Sequence, residues 1–205
     1  MTYNTTAIRT IIFDLGNVIV DFSHNVACER IAAHSPYTAD HIYRKIFASR
    51  LVQQFDTGHV SPETFFSKIS DELHVHIEKN VLQSIWNSIF SLNRDTEKII
   101  RLLQGRFRLL CLSNTNPWHF DYCMRRFSVL KSFDSFILSF QAGALKPQKK
   151  IFRQAILEAH ALPEQCLFID DIELFVEAAK HEGIQAIHFI SADRLSRALK
   201  ERGLL

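Results

Sequence analysis

Residues 11–21 read IIFDLGNVIVD, and the fold turns on how this stretch is understood. Ile11, Ile12 and Phe13 read as the end of a buried strand. Asp14 stands where that strand should give way to solvent, Gly16 follows two residues later, and Val18 to Val20 close the stretch. A carboxylate held partly desolvated at a strand end is unfavourable without a partner. In open α/β sheets, ligands bind at the carboxyl ends of the strands. Asp14 is therefore a candidate nucleophile on which the other polar clusters of the chain are expected to converge.

Working outward, five apolar runs read as buried parallel strands: Ala7–Phe13, Phe107–Leu112, Ser135–Ser139, Gln165–Ile169 and Gln185–Phe189. Helical stripes fall between and after them. Glu97 to Gln104 carries Ile99, Ile100, Leu102 and Leu103. Further on come Ile151, Ala155, Ile156 and Ala159, then Leu174, Val176, Ala178 and Ala179, and last Leu195, Ala198 and Leu199. This alternation predicts an α/β fold, a doubly wound, Rossmann-like parallel sheet of about five strands. Between 22 and 94 the pattern changes, with helical periodicity and no convincing strand. Ser61-Pro62-Glu63 is a helix start, with a capping hydroxyl and Pro at the first helical position. The expected organisation is a core of residues 1–21 and 95–205, with 22–94 inserted as a helical cap over the strand ends.

The chain has 205 residues, 47% of them apolar and 22% charged, an ordinary globular balance. A formal charge of +2, with scattered basic residues, argues for neither nucleic acid nor membrane as a partner. The four cysteines, at 28, 111, 123 and 166, have no CxxC spacing and read as reduced, buried thiols. The opening MTYNTTAIRT has no apolar signal region, and no run is long enough to span a membrane. The expected location is the cytoplasm; oligomeric state is not readable.

Three more polar clusters follow later strands: Ser113-Asn114-Thr115-Asn116, the loop ending in Lys146-Pro147, and Asp170-Asp171. In a doubly wound sheet these ends share one edge with Asp14. Two or three carboxylates there can hold a hard divalent cation, magnesium above all. A lysine and a hydroxyl can balance the charge of a phosphate, and a carboxylate nucleophile can accept a phosphoryl group.

With FDLGNV at 13–18, LSNTN at 112–116, GALKP at 143–147 and FIDD at 168–171, the chain resembles the haloacid dehalogenase superfamily of hydrolases. The DLGNVIVD and LSNTN wording is similar to bacterial sugar-phosphate phosphatases of the α-D-glucose-1-phosphate type and to the N-terminal phosphatase domain of soluble epoxide hydrolases. The resemblance implies a magnesium-dependent phosphatase acting on a small phosphorylated metabolite such as a sugar phosphate. It implies Asp14 as nucleophile and metal ligand, with the Gly16 carbonyl, Asp170 and Asp171 completing the metal site. It further implies Ser113 and Asn114 as phosphate-binding groups and Lys146 as a bridge between phosphate and nucleophile.

Two positions depart from the family pattern. Gly16 stands where most of its phosphatases carry an acid/base Asp, and such help is worth ~10²–10⁴-fold in rate. Phe175 stands where the fourth motif has a polar residue, and Glu173 is the nearby candidate replacement. Two alternatives follow: a dehalogenase-type hydrolase, or a catalytically weak protein that binds phosphorylated metabolites. Asp21 (as hinge or substitute acid), Trp118 and His119 (as pocket lining) and Asp56-Thr57-Gly58 (as a specificity loop or a plain turn) are further candidates.

Overall fold

The computed structural model describes residues 7–47 and 49–205. The first six residues of the N-terminal stretch just considered lie outside it. In chain order the elements begin with strands β1 (Thr10–Phe13) and β2 (Val20–Phe22). Helices α1 (His24–Ala32), α2 (Ala39–Phe47), α3 (Arg50–Asp56), α4 (Pro62–Leu73) and α5 (Lys79–Asn87) come next. Then follow β3 (Phe90–Leu92), α6 (Arg94–Leu103), β4 (Arg108–Ser113), α7 (Pro117–Arg126), β5 (Ser135–Leu138) and α8 (Ser139–Ala142). The chain ends with α9 (Lys149–Ala159), β6 (Cys166–Asp170), α10 (Glu173–His181), β7 (Gln185–His188) and α11 (Ala192–Glu201).

Strands pair in parallel in the order β5-β4-β1-β6-β7. This is the expected doubly wound sheet, with β1 at its centre. Side chains alternate between faces along a strand. Ile11, Phe13, Leu109, Cys111, Leu167 and Ile169 therefore pack on one side with residues of α6, α7 and α11. Ile12, Leu110, Leu112 and Phe168 pack on the other with α9 and α10. Both faces are covered, which is why the strands read as continuous apolar runs. The first strand is three residues shorter than expected, although Arg9 continues its backbone bonding by donating to Gln165 O. All four cysteines are buried and free. No helix among the described residues is long and apolar enough to cross a membrane.

The stretch between 22 and 94 is not free of strand. β2 and β3 form an antiparallel ribbon in which Phe22 pairs with Phe90 and Asp21 with Ser91. Three-residue strands are too short for their alternation to be read against helical neighbours. Helices α1 to α5 lie between the two ribbon strands and enclose their own cluster, including Phe55, Phe65, Ile69, Leu82 and Trp86. Ser61 caps α4 by accepting from Thr64 N–H, as its sequence predicts.

The end of α3 meets the N-terminus of α8. Ser139 Oγ donates to the carbonyl of Asp56. Gly58 has φ +72°, and a Cβ there would overlap the Phe140 carbonyl oxygen. Glycine is required on both counts, conformation and space. Gly58→Ala is expected to lower unfolding free energy by more than about 1 kcal/mol in urea titration. An unchanged midpoint and slope would show that α3 does not seat on α8 in this way.

Candidate active site

Asp14 follows the last residue of β1, the central strand, and its backbone N–H donates to Ile169 O at 2.9 Å. β4 lies on one side and β6 on the other. Asp14 is thereby flanked by Ser113-Asn114 and by Asp170-Asp171. Lys146 reaches in from the loop after α8. Its Nζ stands 2.8 Å from Asp14 Oδ1 and 2.6 Å from Asp170 Oδ2, with all three side chains almost wholly buried. Carboxylate oxygens of Asp14, Asp170 and Asp171 come within 4.8 Å of one another.

The charges do not balance. Three carboxylates are gathered beside one ammonium group, and a buried charge is stable only with a partner. Burial, against the pull of Lys146 and with a push from Asp170, leaves the Asp14 carboxyl raised to about 7. Burial by itself would lower the Lys146 ammonium, but Asp14 and Asp170 together overcome it, and its pKa is raised. A lysine that stays charged between carboxylates with excess negative charge is the environment a divalent cation completes.

The sequence-expected residues converge, though not always through the expected contacts. Asp170 uses one oxygen on Lys146 and the other on the Ile172 N–H at 2.8 Å. Asp171 is more open, and its Oδ2 accepts from Asn17 Nδ2 at 3.1 Å. Asn17 itself sits at φ +53°, a left-handed conformation that asparagine tolerates better than most residues. The Asn114 side chain is turned to the Lys146 backbone. Its Oδ1 accepts from Lys146 N–H at 2.8 Å, and its Nδ2 donates to Lys146 O at 3.1 Å. Asn114 thus holds the lysine loop in register with β4.

Phe175, a departure at the sequence level, places its ring centroid 5.1 Å from Lys146 Nζ, and Phe168 lies at 5.5 Å. Aromatic faces attract a cation at this range. Glu173 is exposed at the start of α10 and lines neither cavity of the site. Asp21 is also exposed, on the ribbon, away from both cavities. The space beside Gly16 is filled instead by Phe22: a Cβ on Gly16 would stand 2.7 Å from Phe22 Cε1.

A cavity of about 190 Å³ holds Asp14, Gly16, Asn17, Ser113, Lys146 and Asp171. A second, of about 100 Å³, lies between the sheet edge and the helices, with Asp56, Trp86 and His119 among its walls. Asn116 ties these walls together. It caps α7 by accepting from His119 N–H, while its Nδ2 donates to Asp56 Oδ1 at 3.0 Å and to His119 Nδ1 at 3.1 Å. His119 Nε2–H then donates to Trp86 O at 3.3 Å, which fixes the neutral tautomer. Burial lowers the His119 imidazole to about 3 and raises the Asp56 carboxyl to about 6. Trp118 packs instead with Phe55 and Phe65. Phe22, His24 and Trp86 were not legible as site residues in the sequence: Trp86 is remote from every motif, and Phe22 and His24, though close behind the first, carry no sign of which way they turn.

A family model for haloacid dehalogenase-like hydrolases matches residues 8–183. D-ribitol-5-phosphate phosphatase of Bacteroides thetaiotaomicron is 28% identical over 186 residues, covering 87% of this chain and 90% of that one. A phosphorylated carbohydrates phosphatase of Thermotoga maritima is 25% identical over 190 residues, covering 88% and 84%. Among solved structures, a haloacid dehalogenase family enzyme of Bacteroides thetaiotaomicron, crystallised with magnesium and inorganic phosphate, superposes with a TM-score of 0.78. It is 24% identical, with 88% of this chain and 93% of that one covered. With motifs, sheet order and the match over most of its length in agreement, the chain belongs to the haloacid dehalogenase-like hydrolase family.

Proposed function

We propose that the protein is a magnesium-dependent phosphatase that hydrolyses a small phosphorylated polyol or sugar through phosphoryl-Asp14. One observation carries the reading: the buried Lys146 ammonium bridges Asp14 and Asp170, in a group of three carboxylates with charge to spare. The two phosphatase relatives support the substrate class.

Asp14, Asp171 and the Gly16 carbonyl would hold the cation, with Asp170 behind them. When bound, magnesium would offset the carboxylate charge and polarise the phosphoryl oxygens. Asp14 attacks phosphorus through one carboxylate oxygen as the ester oxygen leaves with its electron pair and takes a proton from water. Water then attacks phosphoryl-Asp14, releasing inorganic phosphate and restoring the carboxylate. Lys146 balances the charge on the phosphoryl oxygens and holds Asp14 in place. Ser113 offers a hydroxyl to the phosphate. Asn114 acts by fixing the lysine backbone. Gly16 has no side chain with which to protonate the leaving oxygen. Helices α1 to α5, joined to the sheet by the β2–β3 ribbon, act as the cap and exclude bulk water from the bound ester.

Asp14→Asn is expected to stay folded and to lose at least about 10³-fold in magnesium-dependent phosphate release from ribitol 5-phosphate. Equal rates in variant and wild type would remove Asp14 as nucleophile. Halide release from 2-chloropropionate without magnesium, in place of phosphate release, would favour the dehalogenase reading.

Magnesium binding requires ionised carboxylates, so protons compete with the metal. Millimolar magnesium should raise the melting temperature more at pH 8 than at pH 5, with chelator abolishing the rise at both. An increment of the same size at both pH values would place the cation away from these carboxylates.

A further inference from the structure

The two cavities share Gly16, Phe22, Ser113 and Asn114 as a common neck. If the phosphoryl group faces Asp14, the second cavity lies on the far side of this neck, where the alcohol part of the ester would go. This inference rests on the phosphatase reading above.

At about 100 Å³ the cavity is well below the ~300 Å³ at which drug-sized pockets begin. A short chain fits its scale. Phe22, Phe47, Val52, Trp86 and Phe90 supply apolar walls. Asp56 is the one carboxylate among the lining residues, and no lysine or arginine lines the cavity with it. Its position is fixed twice, by Asn116 Nδ2 on Oδ1 and by Ser139 Oγ on its backbone carbonyl. Its second oxygen has no donor among the described residues, and it is not among the sealed, unpartnered buried atoms. A carboxylate oxygen anchored in a largely apolar cavity favours a donor from the ligand.

The geometry points to Asp56 as the residue that reads a hydroxyl on the leaving alcohol, making short-chain polyol or sugar phosphates, not simple alkyl phosphates, the substrate class. Ser113, Thr115 and His24, whose imidazole burial keeps neutral, are among the residues that line the same space. Each of these groups can both give and accept a hydrogen bond, as a hydroxyl can, whereas an ammonium group only donates. Polyols match that mixture better than amino alcohols.

The test is a comparison of kcat/KM, with magnesium, for propyl phosphate, glycerol 3-phosphate, ribitol 5-phosphate and ethanolamine phosphate. Wild type should favour the hydroxylated esters over propyl phosphate by about tenfold or more. Asp56→Asn keeps an acceptor for Asn116 but turns the second oxygen into an amide donor. In this variant the ratio of hydroxylated ester to propyl phosphate should fall by about tenfold. A drop of the same size on every ester would assign Asp56 to joining α3 and α7 only, and would overturn the inference. So would a wild type without the preference, or one led by ethanolamine phosphate. The wild-type series decides alone if the variant does not fold. Absence of phosphate release from all four esters would sink the phosphatase reading itself, and with it this inference.

Discussion

The contact on which the site depends is the Lys146 ammonium held between Asp14 and Asp170. Three nearly buried charges are stable together only if each is oriented and hydrogen-bonded, because desolvation alone opposes all of them. The fold meets that requirement with backbone. Asp170 is pinned by the Ile172 N–H, and the lysine's own peptide is clasped from both sides by the Asn114 amide. Two phenyl rings then close over the ammonium group. Asp14 meets the lysine through Oδ1 and lines the cavity, as the proposed nucleophile must.

This arrangement follows from β1 being the central strand. Neighbours β4 and β6 end beside it, so Ser113 and Asp170, which follow Asp14 by 99 and 156 positions in the sequence, become adjacent to it without long loops to carry them. The sheet supplies the rigidity, since both of its faces are packed. The helical layer supplies the second half of the cavity through α3, whose end rests on α8 and whose last residue bonds to the α7 cap.

The sheet was legible because its strands are buried on both faces and read as plain apolar runs; four of the five lie within about a residue of where periodicity put them. Asp14 and Asp170-Asp171 were legible because each stands directly after such a run, and Lys146 because it sits in the loop that follows another strand. What sequence could not supply was orientation. Asn114 looked like a phosphate ligand, yet its side chain is committed to the Lys146 backbone. Phe175 looked like a loss, yet its ring borders the lysine. The β2–β3 ribbon escaped notice because three residues are too few for a period. Asp56 could be read as a turn or a specificity loop, but its carboxylate's partner, Asn116, lies 60 residues further along the chain.

The ring of Phe22 sits where a side chain on residue 16 would project, and it belongs to the ribbon strand that leads out to the helices. Residues 16 and 22 are thus a single choice written at two positions. A carboxylate could enter at 16 only after the ring had given way, and a smaller residue at 22 would leave a gap over Gly16 until that position filled. Substitutions here have an order, and the effect of either one cannot be read without knowing the other. The same ring lines both cavities, so whatever stands at 22 also bounds the passage between them.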